Sequence, residues 1–455
     1  VKDIVYSSFN CAGQRCSALR VAFIQEEIFD SIIPMLKGAM AELNIADPKW
    51  LNTDIGPIID KKALDLLNQH CDFLDRQQFD KAHLLYGSHL STSLAGGYYF
   101  APRLYEINSL DLLEKEVFGP IVHLVRYQAD DLNDVIQQIN NCGYGLTLGI
   151  HSRQQSLADY LARHIKVGNV YINRSMVGAT VGVQPFGGRG LSGTGPKAGG
   201  PHYLEALVTK NEGNFCSVLR LPKQVEDKTN VAVLNKAKQT WGVWHQNDLS
   251  DRIVILKQLC TELVKAEPSL TTIFDDCIST IENMERKLKT PIQLPGPTGE
   301  TNVLVYESRG VLVAIGHEEY PLNDWLLVII SSLVAGNVVV VALSETDKKL
   351  QLLIEKCISL TQLPKQCLQF IGDNSVSHLL DNQLISAVIS PVHNHQLKQL
   401  LSQRAGPIIP LLCADDLFIE NRLLLEKTIS TDNTAAIGNS SLLSLRKSSN
   451  SGMIA

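Results

Sequence analysis

The chain has 455 residues, 45% of them hydrophobic and only 19% charged, enough to bury the cores of two or three globular domains. A formal net charge of -6 leaves no basic footprint that would neutralise a phosphate backbone, which argues against nucleic acid as a partner. Ten cysteines are scattered with no CxxC pair, and no secretory leader pattern opens the sequence, so reduced thiols and a cytoplasmic location are expected.

From residue 1 to about 205, short apolar runs alternate with helical patterns, which predicts an α/β layer architecture. ALRVAFI (Ala18 to Ile24) is followed by an amphipathic helix over Gln25 to Leu43, then by apolar runs at HLLYG near Leu84 and IVHLVRY from Ile121. Next come a helix over Leu132 to Ile139, an apolar turn GYGLTLGI from Gly143, a helix over Leu157 to His164 and a strand NVYIN from Asn169. The stretch Gly182 to Gly200 is too glycine-rich for a strand or helix interior, so a ligand or another chain segment must fix it.

A polar connection around Glu212 to Asn230 leads into a long helical region, Ala232 to Ile281, and then a Pro/Gly-rich linker, Pro291 to Glu300. A second α/β unit starts at Arg309 with the strand GVLVAIG. Trp325 to Leu343 carries no charge for nineteen residues, nearly a bilayer's thickness. Ala335-Gly336-Asn337 interrupts it, however, and a β-branched Val run follows, so it reads as a buried helix turning into a buried strand. A helix over Lys348 to Leu360 and strands at LQFIG and ISAVIS complete the unit, and the last ten residues are expected to be disordered.

The chemistry is concentrated in Phe9-Asn10-Cys11-Ala12-Gly13-Gln14-Arg15-Cys16-Ser17-Ala18-Leu19-Arg20. A thiol ahead of an apolar-periodic segment and beside an arginine sits where a helix N-terminus and a positive charge can favour thiolate. By position alone Cys16 reads more readily as an inert core cysteine than as a nucleophile.

AGQRCSALR resembles the catalytic-cysteine segment of aldehyde dehydrogenases, specifically of the proline utilization A proteins. Further similar stretches follow in order: TDIGPIID (Thr53 to Asp60), KEVFGPIV (Lys115 to Val122), GYGLTLGIHSR (Gly143 to Arg153), GNVYINR (Gly168 to Arg174) and VGVQPFGGRGLSGTGPKAGGPHY (Val181 to Tyr203). The resemblance implies that Cys16 attacks an aldehyde carbon and that the oxyanion is held partly by its own backbone N–H. It implies that Glu116 hydrogen-bonds the nicotinamide ribose of NAD, with Phe118 beside the nicotinamide ring; in isolation Glu116 reads as a surface carboxylate.

The substrate implied is L-glutamate γ-semialdehyde. Ser17 and the backbone amides of Gly178 and Ala179 would anchor its α-carboxylate, and Phe186 would pack on its aliphatic part. A glycine-bearing turn can aim successive N–H groups at an anion, although Gly178-Ala179 also reads as an ordinary turn between strands.

In this family the dinucleotide-binding domain, the general-base glutamate and the oxyanion asparagine all precede the nucleophile. Only fifteen residues precede Cys16, so the chain is expected to be part of a longer polypeptide and inactive alone. An FAD-dependent proline dehydrogenase domain is implied upstream.

The second half resembles the opening of an aldehyde dehydrogenase NAD-binding domain with its functional positions changed. His317-Glu318-Glu319-Tyr320-Pro321 puts Glu319 where the family has its oxyanion asparagine, and Ala342-Leu343-Ser344-Glu345 lacks the family's lysine. ISPVHNH (Ile389 to His395) replaces the phosphate-cradling glycine turn, and PLLCAD (Pro410 to Asp415) the base-bearing segment.

The expected organisation is therefore α/β throughout. Residues 1–205 form the thiol-bearing half of an aldehyde dehydrogenase, 206–225 a connector, 226–420 a degenerate Rossmann-like domain binding no NAD, and 421–455 a tail motif containing STDNTAAIGNSSLL (Ser430 to Leu443). His393 and His395 lack a third ligand at recognisable spacing, so no metal is expected. Expected partners are the semialdehyde and upstream domains of the same polypeptide, with no transmembrane segment; a homo-oligomer is compatible. Two alternatives stay open: a structural lid over a partner's active site, and a dehydrogenase for another aldehyde.

Overall fold

The structure, a computed structural model, describes residues 1–77, 81–208, 229–316, 322–343, 347–372, 376–391, 394–414 and 416–434. They fall into two units. One comprises Val1–Val183, Gly296–Asn302 and the residues from Ile429; the other comprises Gln184–Pro295 and Val303–Thr428.

In the first unit, α1 (Lys2–Phe9) leads through a 3-10 turn (Asn10–Gly13) and an irregular segment to β1 (Val21–Gln25). Helix α2 (Glu26–Ala41) opens with Glu26 and Glu27, carboxylates that suit the positive end of its dipole, and buries Phe29, Leu36 and Met40. Helix α3 (Lys61–Arg76) is capped by Asp60, whose carboxylate accepts from the Ala63 N–H at 2.7 Å. It buries Leu67, Cys71 and Leu74, one stripe at helical spacing.

Strands β2 (Ala82–Gly87), β3 (Arg103–Ile107) and β4 (Ile121–Tyr127) complete a sheet of order β1-β4-β3-β2. It is parallel except for β2, which runs antiparallel to β3. Arg126 on β4 binds Glu26, Asp30 and Glu106 and lies over the Phe29 ring, tying the sheet to α2.

Helix α4 (Leu132–Asn141), β5 (Tyr144–Gly145), β6 (Thr147–Ile150), α5 (Gln155–His164) and β7 (Asn169–Ile172) follow. The GYGLTLGI stretch, expected as an apolar turn, supplies β5 and β6. Parallel pairing of β6 with β7 satisfies its backbone, a non-local gain that a turn reading misses. Ile150, Ala158, Val170 and Ile172 form its core.

The second unit begins with β8 (Arg189–Gly190) inside the glycine-rich loop. The expected long helical region is three helices, α6 (Thr229–Trp244), α7 (Leu249–Ala266) and α8 (Thr271–Lys289). Pro268 disfavours helical backbone at Glu267 and ends α7.

Then come β9 (Ile292–Leu294), β10 (Glu300–Ser308), β11 (Val311–Ile315), α9 (Leu322–Val334), β12 (Val338–Leu343), α10 (Lys348–Ile358), β13 (Leu368–Gly372), α11 (Val376–Leu380), β14 (Ile385–Ser390), α12 (His395–Ser402), β15 (Leu411–Cys413), α13 (Ile419–Arg422) and β16 (Leu424–Asp432).

Strands β13-β12-β11-β14-β15 form an all-parallel sheet in that order. Counted from β11 the order is 3-2-1-4-5, the doubly wound arrangement expected from the βαβ pattern. All of β12 is buried, which is why its sequence is an unbroken apolar run. At the helix-to-strand junction Gly336 adopts φ +81. The Asn337 carboxamide accepts from the N–H groups of Arg309 (2.7 Å) and Gly310 (3.0 Å) and donates to the Leu423 carbonyl at 2.9 Å.

Among the described residues no helix is long and apolar enough to cross a membrane. Residues 317–321 with Glu319, residues 344–346, His393, Asp415, most of the connector (209–228) and the tail from 435 lie outside the described residues.

Candidate active site

Cys16 lies in a turn of the irregular segment ahead of β1, with its thiol exposed. The expected helix N-terminus is absent, because the apolar run that follows the thiol enters a strand at Val21. The expected positive charge is present and comes from Arg20. Arg15, the neighbour in sequence, instead directs Nε at the Cys11 sulfur, 3.1 Å away.

Arg20 organises the turn. Its guanidinium donates to the carbonyls of Gly13 (2.7 Å) and Arg15 (2.9 Å), gripping the backbone on the approach to Cys16. Nε stands 3.7 Å from Glu116 Oε1, and the guanidinium lies 4.8 Å from the centre of the Phe118 ring. Burial pulls the Arg20 pKa down while Glu116, and then Cys16, oppose that shift, so thiol and guanidinium are within electrostatic reach. Burial likewise pushes the Glu116 carboxyl up, with Arg20 offsetting part of the rise.

Two glycines explain how AGQRC and EVFGP come together. A Cβ on Gly13 would stand 2.1 Å from the Gly119 carbonyl oxygen, and one on Gly119 would stand 2.3 Å from a Leu67 methyl. Gly13 ends a left-handed run, with φ 54, 53 and 63 at Cys11, Ala12 and Gly13. Two non-glycine residues in that region store strain of order 1–3 kcal/mol each, of the kind found at functional sites.

The Gly178 turn is fastened to the same place through Ser7 on α1. The Ser7 carbonyl accepts from the Leu19 N–H (3.0 Å), and its hydroxyl accepts from the Met176 N–H (3.2 Å). Gly178 has φ +84, and both it and Ala179 are exposed. Nothing stands within 4 Å of a Cβ placed on Gly178, so the backbone there is open to a ligand.

The first unit thus brings together Cys16, Ser17, Glu116, Phe118 and, through Ser7, the Gly178-Ala179 turn. Ser17 is buried at 6% exposure, Phe118 is 44% exposed and Glu116 is half-buried. Phe186 belongs to the second unit, where its backbone bridges Ala198. Sequence reading missed Ser7, Arg20 and the Gly13–Gly119 approach; two matched motifs, each with a small residue, were the available signal for the last. It missed Tyr171 too, a buried phenol on β7 within electrostatic reach of Cys16 and Arg174, its pKa raised by burial to about 12. Among the described residues no group of three His, Cys, Asp or Glu side chains could hold a metal ion.

An exposed thiol, a guanidinium within reach of it and a carboxylate near an aromatic ring suit covalent chemistry on a carbonyl next to a nucleotide sugar. The chain belongs to the aldehyde dehydrogenase family, whose pattern it matches over residues 1–211 and 266–390. It is 34% identical over 452 residues to the bifunctional protein PutA of Klebsiella aerogenes, covering 96% of this chain and 31% of that protein. It is 34% identical over 205 residues to a 1-pyrroline-5-carboxylate dehydrogenase of Geobacillus kaustophilus, covering 45% of this chain and 38% of the relative. The chain therefore spans about a third of the length of these relatives. Proline utilization A of Corynebacterium freiburgense shares the fold, with TM-score 0.58 and 19% identity over 95% of this chain and 37% of that one.

Proposed function

We propose that this chain carries the nucleophile of an NAD-dependent dehydrogenase that oxidises L-glutamate γ-semialdehyde to L-glutamate during proline breakdown. The observation that carries the reading is the convergence of the exposed Cys16 thiol, Arg20, Glu116 and Phe118 in one unit.

Cys16 Sγ, as thiolate, adds to the aldehyde carbon to give a thiohemiacetal, and its backbone N–H faces the developing oxyanion. The open Gly178-Ala179 backbone and Ser17 take the substrate's α-carboxylate. The nicotinamide end of NAD fits the residues present: Glu116 is accessible to a ribose hydroxyl, and Phe118 offers an exposed ring face. NAD, when bound, supplies the hydride acceptor for this site. Hydrolysis of the acyl–Cys16 thioester releases glutamate and restores the thiol.

The rest of the cofactor site, the base and the oxyanion asparagine would come from sequence ahead of Val1, and the chain alone should not turn over. Relatives called bifunctional support a second activity in the same polypeptide, which we propose is FAD-dependent proline oxidation. The second unit is a dinucleotide-type sheet whose changed motifs leave it without NAD. The test is NADH formation from glutamate semialdehyde in a polypeptide supplying the upstream half. Cys16→Ser should abolish it; undiminished oxidation in that variant would refute the assignment.

A further inference from the structure

Beneath the candidate site lies a pair of histidines that the reaction does not use. His70 on α3 and His123 on β4 face each other with Nε2 atoms 3.0 Å apart. His123 Nδ1 lies 2.9 Å from the main-chain carbonyl oxygen of Arg20, and the same oxygen accepts the His123 main-chain N–H, also at 2.9 Å.

That carbonyl settles the proton positions. An oxygen of this kind only accepts, so Nδ1 of His123 must carry hydrogen. The His123 ring is buried at 3% exposure, and burial, reinforced by His70, pushes its pKa down to about 3. It is therefore neutral, and its Nε2 is a bare acceptor. Only His70, donating from Nε2–H, can satisfy the 3.0 Å contact.

Arg20 is thus held at both ends. Its carbonyl is clamped by His123, and its guanidinium is clamped by the carbonyls of Gly13 and Arg15. The clamp falls at the residue before β1, where parallel register sets Val21 opposite His123. Tyr105, opposite His123 on β3, stacks on the His123 ring at 6.4 Å between centroids. An outer residue that fixes the ring tautomer of an inner one commonly sets the geometry of the group the inner one holds.

We propose that His70 and His123 are positioning residues, a relay that holds Arg20 so that its guanidinium stays beside Glu116 and in reach of Cys16. This rests on the reading of Cys16 as the working thiol. Without the His70 donor, the buried Nε2 of His123 has no partner, and the ring regains one only by turning away from the Arg20 carbonyl.

Alkylation of the intact 455-residue chain by iodoacetamide, read peptide by peptide, tests it. Cys11, whose cationic neighbour is Arg15, serves as internal reference. His70→Leu should slow Cys16 relative to Cys11 about three- to tenfold, as loss of a favourably placed cation would. His70→Gln, which keeps an N–H donor, should restore the ratio, a rescue that a merely space-filling role would not show. His123→Asn places an amide N–H near the Nδ1 position and should retain the ratio better than His123→Leu.

Should His70→Leu fail to fold, nitrogen NMR of the histidine rings in the unaltered chain decides: Nδ1–H at His123 with Nε2–H at His70 is expected, and Nε2–H at His123 overturns the relay. A reactive Cys16 indifferent to His70→Leu overturns the relay alone. A Cys16 as slow as the buried Cys260 overturns the thiol reading and the relay with it.

Discussion

Arg20 Nε and Glu116 Oε1 stand 3.7 Å apart, joining the segment that carries the thiol to the segment that carries the proposed ribose ligand. The Glu116 carboxylate and the Cys16 thiol both lie within electrostatic reach of that guanidinium. Glu116 therefore neutralises part of the field that would otherwise act on the thiol. Glu116→Gln should speed alkylation of Cys16 by about two- to threefold while Cys11 is unaffected. An unchanged or slower Cys16 would mean that Arg20 does not act on the thiol.

Gly13→Ala should be among the most damaging single changes in the first unit. A Cβ there meets backbone atoms of Gly119 and Ser8, which cannot rotate away, and φ +63 disfavours any L side chain. Strain and overpacking together should cost about 3 kcal/mol or more, read as a lowered thermal midpoint. Gly38→Ala, in helix α2 with nothing near its Cβ position, should hold or raise that midpoint.

Acid should weaken the first unit through the histidine pair. Burial lowers the folded pKa of His123 to about 3 and also lowers that of His70. The unfolded chain binds these protons near pH 6.5, so between that value and about 3 it holds more protons than the folded chain. The stability contribution is thus intact above about pH 6.5 and is lost as pH falls, at up to about 1.4 kcal/mol per unit for His123. Arg20 and Tyr105 face His123, and Tyr105 in turn meets Cys71 and Asp75. Urea midpoints at pH 6.5 and 5.0 should fall farther in the unaltered chain than in His123→Asn. Parallel losses in the two proteins would place the acid sensitivity elsewhere.

In the second unit Asn337 joins β10's end, β11's start and the segment after α13. Asn337→Ala would leave the N–H groups of Arg309 and Gly310 and the Leu423 carbonyl without their partner in a fully buried place. The loss should be about 2–4 kcal/mol by thermal or urea unfolding. Ser332→Ala, which removes only a hydroxyl bonded to the preceding helical turn, should cost well under half of that.

Local pattern made much of this molecule legible. The Val run of β12, the break at Gly336-Asn337 and the short apolar runs of β1, β4, β11 and β14 follow from local pattern, because a strand buried on both faces leaves a continuous apolar run in the chain. Cys16, Glu116 and Phe118 were visible as motif residues. The GYGLTLGI strand was hidden, since its strand character comes from pairing with β7 rather than from its own composition. The loops at the ends of β11 and β14, where a doubly wound sheet binds its ligand, include residues outside the described set.

Sequence alone determined that a thiol, a carboxylate and an aromatic ring of known pattern occur in order, together with the elements that carry them. Tertiary structure decided which cation serves the thiol: not Arg15 beside it, but Arg20, reached through the register of β1 on β4 and clamped by a histidine 103 residues farther along. The physical reason is that electrostatics and hydrogen bonds act through space over a few ångströms, and only folding sets which residues lie that close.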